Sequence, residues 1–558
     1  MADAREPRVV LIGRPYTVLA ADMNKGIPAI FGTLGVKTFY QDMVPHGGSG
    51  ELEPLLGAFH WHYAAEALET AFEAARTPML YPVYVTAFKC SPDSFALDAF
   101  RRILDAHGKP YLVLQLDDHD SSMGYETRIE AGVRAFRNHA ERAVRHTAGS
   151  PGPVRPGWPL RVPPRAGAAI EGRTLLLPDF DPVAGPLVVA NLRHEGVDAR
   201  LLHEDETSIR AAMRHNTGQC IPLNAIVQAA AETIRLQDLD PSRTLVWMAR
   251  STLSCNIPLF PLQMEHLFHA LGGGMENVRV YVGDISFIDL STRVALNTGR
   301  AYLFAGLLRK IACRLRPYET EPGATDRAVA EAVTLLAAAI ADGSRKRTAL
   351  EQAMRLFDRV PVAPGRRPKV AIFGDMYVRD NDVFNQGLVR AIEEAGGEAV
   401  VTPAADFARI IVPEQRRRWR LEGQYQQLLV WGSLVKLLDR LARHYHRYAA
   451  RFLGPYRPVR MDGAGEFLAR FSVRTEQFGE SVDNLLKIYH LTREHPDLRL
   501  FVQASPGFCC PSLVTEAMAR DIQRVTGVPI VSLTYDGTGR YQNDAIVPYL
   551  RFSRTLDA

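Results

Sequence analysis

Cysteine is scarce in this chain: six in 558 residues, none of them in a CxxC pair. So few thiols cannot build a disulfide scaffold, and without close pairs a zinc-finger type of site is a poor fit. The phosphate-binding signatures are missing as well. There is no Walker A run and no GxGxxG fingerprint, so no nucleotide site is expected, and neither a GxSxG elbow nor an HExxH pair occurs. Long apolar runs are absent: stretches such as LLAAAIA at 335–341 fall far short of the roughly 20 residues a membrane helix needs. Net charge is only +4, too small to indicate a nucleic-acid partner. The one local basic run, RRRWR at 416–420, reads as a solvated helix face. No apolar signal region precedes the strand pattern in MADAREPRVVLIG. A cytoplasmic protein is therefore expected, in which cysteine serves packing, metal binding or catalysis.

What is present is an ordinary globular composition, 47% hydrophobic and 23% charged, in a chain long enough for three or four domains. Buried-strand patterns such as RVVLIG (8–13) alternate with helical ones such as DSFALDAFRRILDAHG (93–108). That alternation predicts an α/β protein of several stacked Rossmann- or flavodoxin-like parallel-sheet domains with a helical connector. The expected order is a first α/β domain over 1–147, then a linker rich in Pro, Gly and Arg over 148–171. A second α/β domain follows over 172–322, with a connector rich in Ala, Leu and Arg over 323–366. The third α/β domain spans 367–558, with a helical insertion at about 410–475. The first and third domains open alike: LIGRPYTVLAADMNKGI and IFGDMYVRDNDVFNQGL share a Gly, a Tyr three residues on, and an Asn-x-Gly at the same separation. This reads as a repeated βα unit.

The cysteines share a local grammar. AFKCSPDS (Cys90), NTGQCIPLN (Cys220), STLSCNIPLF (Cys255) and GFCCPSLV (Cys509, Cys510) each carry a proline within three residues downstream, followed by a helical pattern. At least three follow an apolar strand. Proline suits the first helical turn, and ligands of open α/β sheets collect at the carboxyl ends of the strands. Helix N-termini there offer unpaired N–H groups, which lower a thiol's pKa and favour an anionic iron–sulfur cluster. Thiols from several domains converging on one cleft is one reading; unrelated buried or loop cysteines is the other. Cys313, inside the helical pattern YLFAGLLRKIACRL, reads as a small core residue.

Weaker candidates take structural readings. The pairs His60/His62 and His444/His446 are two residues apart and diverge on a helix. Asp117, Asp118 and His119 after a strand suit capping and turn chemistry better than acid–base work. Asp536 and Thr538 in a Gly-rich turn face a possible ligand or make a plain Asp-Gly turn.

LIGRPYTVLAADMNKGIPAIFGTLGVKTFYQDMVP, FKCSPDSF, TGQCIPLNAIV and FCCPSLVTEAMA together resemble the acyl-CoA dehydratase activase-related proteins. These are relatives of the 2-hydroxyacyl-CoA dehydratase subunits and of double-cubane cluster proteins, and the resemblance runs along nearly the whole chain. It implies stacked α/β domains holding a [4Fe–4S] or larger iron–sulfur cluster, and electrons delivered at low potential by a separate ATP-dependent activase. In the dehydratases the electron passes to a 2-hydroxyacyl-CoA thioester, so an acyl-CoA substrate is implied here. By position, Cys90, Cys220 and Cys255 are the implied ligands, with Cys509 or Cys510 as the fourth. Cys509 fits the Cys-x-Pro grammar; Cys510 fits the family's Phe-x-Cys spacing. STLSCNIP departs from the family's Gly-rich approach and following Arg. Four ligands would make a reductase or electron carrier, and three would leave an iron open for substrate. The alternative function is a cluster-free α/β module binding a small acid or CoA ester.

Overall fold

A computed structural model of the chain describes residues 6–45, 50–59, 61–87, 90–117, 123–145, 170–250, 255–474 and 479–552. Most of the linker expected over 148–171, together with His60, Asp118 and His119, lies outside the described residues. The protein is α/β, 58% helix, with three four-stranded sheets that are parallel throughout. It divides into two compact units. One holds the described residues of 1–162 with 217–219 and 258–263, and the other holds the rest.

The first unit carries the sheet of β1 (Arg8–Gly13), β2 (Lys37–Tyr40), β3 (Leu80–Ala87) and β4 (Leu112–Leu116), in the order β2-β1-β3-β4. The second unit carries two sheets. One is formed by β5 (Thr174–Leu177), β6 (Asp198–Leu201), β7 (Thr244–Ala249) and β8 (Arg279–Gly283), ordered β6-β5-β7-β8. The other is formed by β9 (Lys369–Gly374), β10 (Glu398–Val400), β11 (Leu498–Pro506) and β12 (Ile530–Tyr535), ordered β10-β9-β11-β12. All three sheets therefore repeat one doubly wound pattern, in which the first and third strands lie side by side and their connections leave in opposite directions. The central strands are buried on both faces, which is why they read as unbroken apolar runs: Val9 to Ile12 are fully buried, as are Val370 to Phe373.

The repeated opening has a physical cause. Gly13 and Gly374 end their first strands at positive φ, 154° and 122°, and a Cβ at either would collide with a carbonyl of the neighbouring third strand, Val85 O or Ala504 O. Only glycine fits so close an approach. Asn24 and Asn385 then tie the following loop: Asn24 Nδ2 donates to Val18 O at 3.1 Å, and Asn385 Nδ2 to Val378 O at 3.0 Å.

Two helices, Ala324–Ala341 and Lys346–Asp358, link the second and third sheets. Between β10 and β11 the chain makes two long helices, Ala404–Leu421 and Tyr425–Leu453. The second of these packs on the helix Thr292–Leu315, where Phe304 and Tyr445 meet edge to face at 4.9 Å. Among the described residues no helix is long and apolar enough to cross a membrane.

Candidate functional site

The topology explains where the cysteines fall. In each sheet the third strand in chain order, β3, β7 or β11, lies beside the first strand at the switch point. Cys90 follows β3, Cys255 follows β7, and Cys509 and Cys510 follow β11, so all sit at carboxyl strand ends where such sheets bind ligands. Cys220 enters differently, on the connection between β6 and β7. The Cys-x-Pro grammar now has a meaning. Cys90, Cys220 and Cys509 are the N-cap residues of the helices Ser91–Ala106, Ile221–Leu236 and Cys510–Ala517, each with proline in the first turn and no side-chain cap. Cys255 is followed instead by a short 3-10 turn, Ile257–Leu259.

In the second unit two of these thiols meet. The buried amide of Asn256 places Nδ2 3.7 Å from Cys220 Sγ and 3.5 Å from Cys510 Sγ, so the sulfurs are no farther apart than those distances combined. The Cys220 thiol also donates to Phe508 O at 3.6 Å. Phe508 holds that carbonyl in place with φ of 66°, a left-handed conformation that an aromatic residue adopts only when its surroundings impose it. Cys509 and Cys255 are buried, whereas Cys510 is half-buried. Of the adjacent pair, then, the N-cap position belongs to Cys509 and the contact with Asn256 to Cys510. Asn256 carries no motif of its own; the only sequence signal was its place directly after a cysteine of the repeated grammar.

Sulfur donors at two helix N-termini, with an amide N–H between them, suit a thiolate-ligated iron–sulfur group, which gains from N–H donation to sulfur. Among the described residues no three His, Cys, Asp or Glu side chains gather as a metal-binding group. The fit is thus of a converging pair of sulfurs with Cys255 and Cys509 next to it in the chain, rather than of a finished set of ligands.

Cys90 belongs to the first unit and has its own surroundings. Asp93 accepts from Thr86 Oγ1 at 2.8 Å and from Arg14 Nε at 3.2 Å. Burial pushes the Cys90 thiol up, the Asp93 carboxylate adds to this, and Arg14 works against it. The lowered pKa expected at a helix N-terminus is not what this site gives, because burial and a neighbouring carboxylate outweigh the N–H groups.

A second polar cluster in the second unit was not visible in the sequence. Glu204, after β6, accepts hydrogen bonds from the Tyr377 hydroxyl and from Asn381 Nδ2, the latter at 2.9 Å, both following β9. Burial pushes Glu204 up to about 7, with nearby Asp179 adding and the two hydrogen bonds opposing. Burial and Asp181 raise Asp179 to about 6. Between pH about 4.5 and 7 the unfolded chain releases the Glu204 proton while the folded chain keeps it, so this contribution to stability is lost as pH rises. Glu204→Gln cannot ionise. It is expected to match the wild type in unfolding free energy near pH 4.5 and to exceed it by up to about 3 kcal/mol at pH 8. Parallel pH profiles in urea unfolding would contradict the assignment.

Two of the weaker candidates, His446 and the Asp536–Thr538 turn, have local backbone and side-chain partners. His446 Nε2 lies 2.9 Å from Gly454 O, and Asp536 Oδ1 accepts from the Thr538 amide and hydroxyl at 2.9 and 2.7 Å in a local turn. Cys313 is buried, and burial pushes its thiol up to about 12. No protein-family model matches the sequence, and no curated protein matches it at a significant level.

Proposed function

We propose that this chain is an iron–sulfur protein of the kind its cysteine contexts resemble, the electron-accepting component of a 2-hydroxyacyl-CoA dehydratase/activase type of system. It takes low-potential electrons from an ATP-dependent activase and uses them for a reduction or a radical dehydration. One observation carries the reading: Cys220 and Cys510, from opposite halves of the sequence, bring their sulfurs to a single buried amide at the N-termini of two helices.

Cys220 and Cys510 would hold the group, with Cys255, directly before Asn256, and Cys509 as the adjacent donors. Cys90 keeps its place through its sequence context alone. A bound [4Fe–4S] cluster supplies one-electron transfer at low potential. The protein's own part is to release the Cys220 proton that now faces Phe508 O, to offer the Asn256 N–H groups to sulfur, and to keep water away through the burial of Cys220, Cys255 and Asn256. The test is iron and acid-labile sulfide analysis after anaerobic purification. A brown protein with about four irons per chain is expected for a single cubane. A colourless chain that takes up no iron on reconstitution would leave the cluster-free module for a small acid or CoA ester.

A further inference from the structure

The two long helices between β10 and β11, Ala404–Leu421 and Tyr425–Leu453, form a hairpin joined over 422–424. The joint is tight: Gly423 takes a φ of 69°, and Gln424 N donates to Trp419 O at 2.7 Å. One side of the second helix faces the protein, with Val435, Ala442, Tyr445 and Ala449 buried. Its other side carries Tyr425, Leu429, Lys436, Arg440, Arg443 and Arg447, at helical spacing and so in one row. Every side chain of that row is exposed. Gly432 falls in the same row, and a Cβ there would meet nothing within 4 Å. The row is about 33 Å long.

Its two ends differ in chemistry. Around the joint, Leu421, Tyr425, Leu429 and Val430 are 68%, 62%, 70% and 51% exposed. Single exposed apolar residues are ordinary on a protein surface, but four within ten positions, rimmed by charge, form the kind of patch that marks an interaction site. They come from both helices and surround the turn instead of lining a groove.

Behind the patch the charge is one-sided. The hairpin 404–453 holds ten Lys and Arg against four Asp and Glu, which is +6 in a chain whose total is +4. Everything outside the hairpin is therefore slightly acidic. Glu422 pairs with Arg418 at 2.7 Å and Asp439 with Arg443 at 3.5 Å, while Arg420, Lys436, Arg440 and Arg447 stand exposed.

An apolar turn with cations on both helices behind it matches an anionic bilayer. The apolar side chains enter the acyl boundary, and Lys and Arg stay among the headgroups. A second copy of the chain is a poor occupant, because the same patch would bring +6 against +6. Nucleic acid would use the cations and leave the apolar turn in water.

We propose that the 404–453 hairpin docks the protein on an anionic membrane surface, with Leu421, Tyr425, Leu429 and Val430 entering the lipid and Lys436, Arg440, Arg443 and Arg447 facing the headgroups. No residue of the hairpin belongs to the cysteine site, so the docking stands whatever the iron content of the protein.

Co-sedimentation of the full chain with vesicles tests this, using phosphatidylcholine alone and equimolar phosphatidylcholine and phosphatidylserine. The wild type is expected to pellet with the mixed vesicles, to stay in solution with phosphatidylcholine alone, and to be released as salt is raised. Lys436→Gln combined with Arg440→Gln removes two exposed charges and is expected to bind the mixed vesicles at least roughly tenfold more weakly. Leu429→Ser keeps every charge and is expected to weaken binding by roughly tenfold as well, through lost apolar burial. Both variants alter exposed side chains only and are expected to melt with the wild type. The proposal is overturned if the wild type stays in solution with the mixed vesicles, or if either variant pellets as the wild type does. It is also overturned if light scattering shows a dimer that Leu429→Ser returns to a monomer, which would assign the patch to a second copy.

Discussion

Replacing Cys220 with serine is expected to strip most of the iron and acid-labile sulfide from the anaerobically purified protein, and Cys510→Ser to do the same. Both sulfurs face Asn256 Nδ2, at 3.7 and 3.5 Å, so each variant removes one of the two donors that the fold already brings together. A serine hydroxyl is a harder and far less acidic ligand than a thiol, and soft iron–sulfur units select thiolate. Cys313→Ser is the control: its thiol is buried as that of Cys220 is, but it lies in the last turn of the helix Thr292–Leu315 rather than at a helix start, and iron content should survive. Cys509→Ser divides the adjacent pair, and a smaller loss than for Cys510→Ser is expected. Equal losses for Cys220→Ser and Cys313→Ser would mean that general destabilisation, not ligation, explains them.

Arg309→Met is expected to cost about 3–5 kcal/mol of unfolding free energy at pH 7, the usual penalty for breaking a buried ion pair from one side. Arg309 is buried between two carboxylates, with Nη1 3.2 Å from Asp181 Oδ1 and Nη2 3.5 Å from Asp380 Oδ1. Its Nη1 also donates to Asp380 O at 3.1 Å, so one side chain ties the loop after β5 to the helix Met376–Asp380 after β9. Methionine fills similar space but removes the cation facing the buried Asp181 carboxylate, whereas Asp380 keeps Arg379, whose Nη2 lies 2.6 Å from its Oδ2. Burial already pushes the Asp181 carboxyl up even with Arg309 opposing, and without the guanidinium it rises further. The folded variant therefore gains most by protonation, and the deficit should shrink clearly at pH 5. Urea unfolding at the two pH values reads this directly. A deficit below about 1 kcal/mol, or one independent of pH, would remove Arg309 as the staple between these sheets.

Much of the fold was legible because parallel strands are apolar on both faces. Val9–Ile12 and Val370–Phe373 could be read as buried strands without knowing their partners. The Gly and Asn repeat was legible for the same local reason, since Gly13 and Gly374 meet the carbonyl of a neighbouring strand and tolerate no side chain. The Cys-x-Pro grammar was also local: it marks an N-cap followed by proline in the first helical turn. What could not be read depended on which loops meet. Asn256 gains its place only because the turn after β7 reaches the helix starts at Cys220 and Cys510. Glu204 and Tyr377 are 173 positions apart and become partners only because the segment after β6 meets the helix after β9. The Cys90 thiol illustrates a different gap, because a helix N-terminus is visible in sequence while the burial and the Asp93 carboxylate that outweigh it are not.

The most direct check on the central claim is a low-temperature EPR spectrum of the anaerobically purified, dithionite-reduced protein. A fast-relaxing signal of a reduced iron–sulfur cluster, present in the wild type and lost in Cys220→Ser, is the expected result. An EPR-silent protein that also lacks iron and acid-labile sulfide after reconstitution would contradict it.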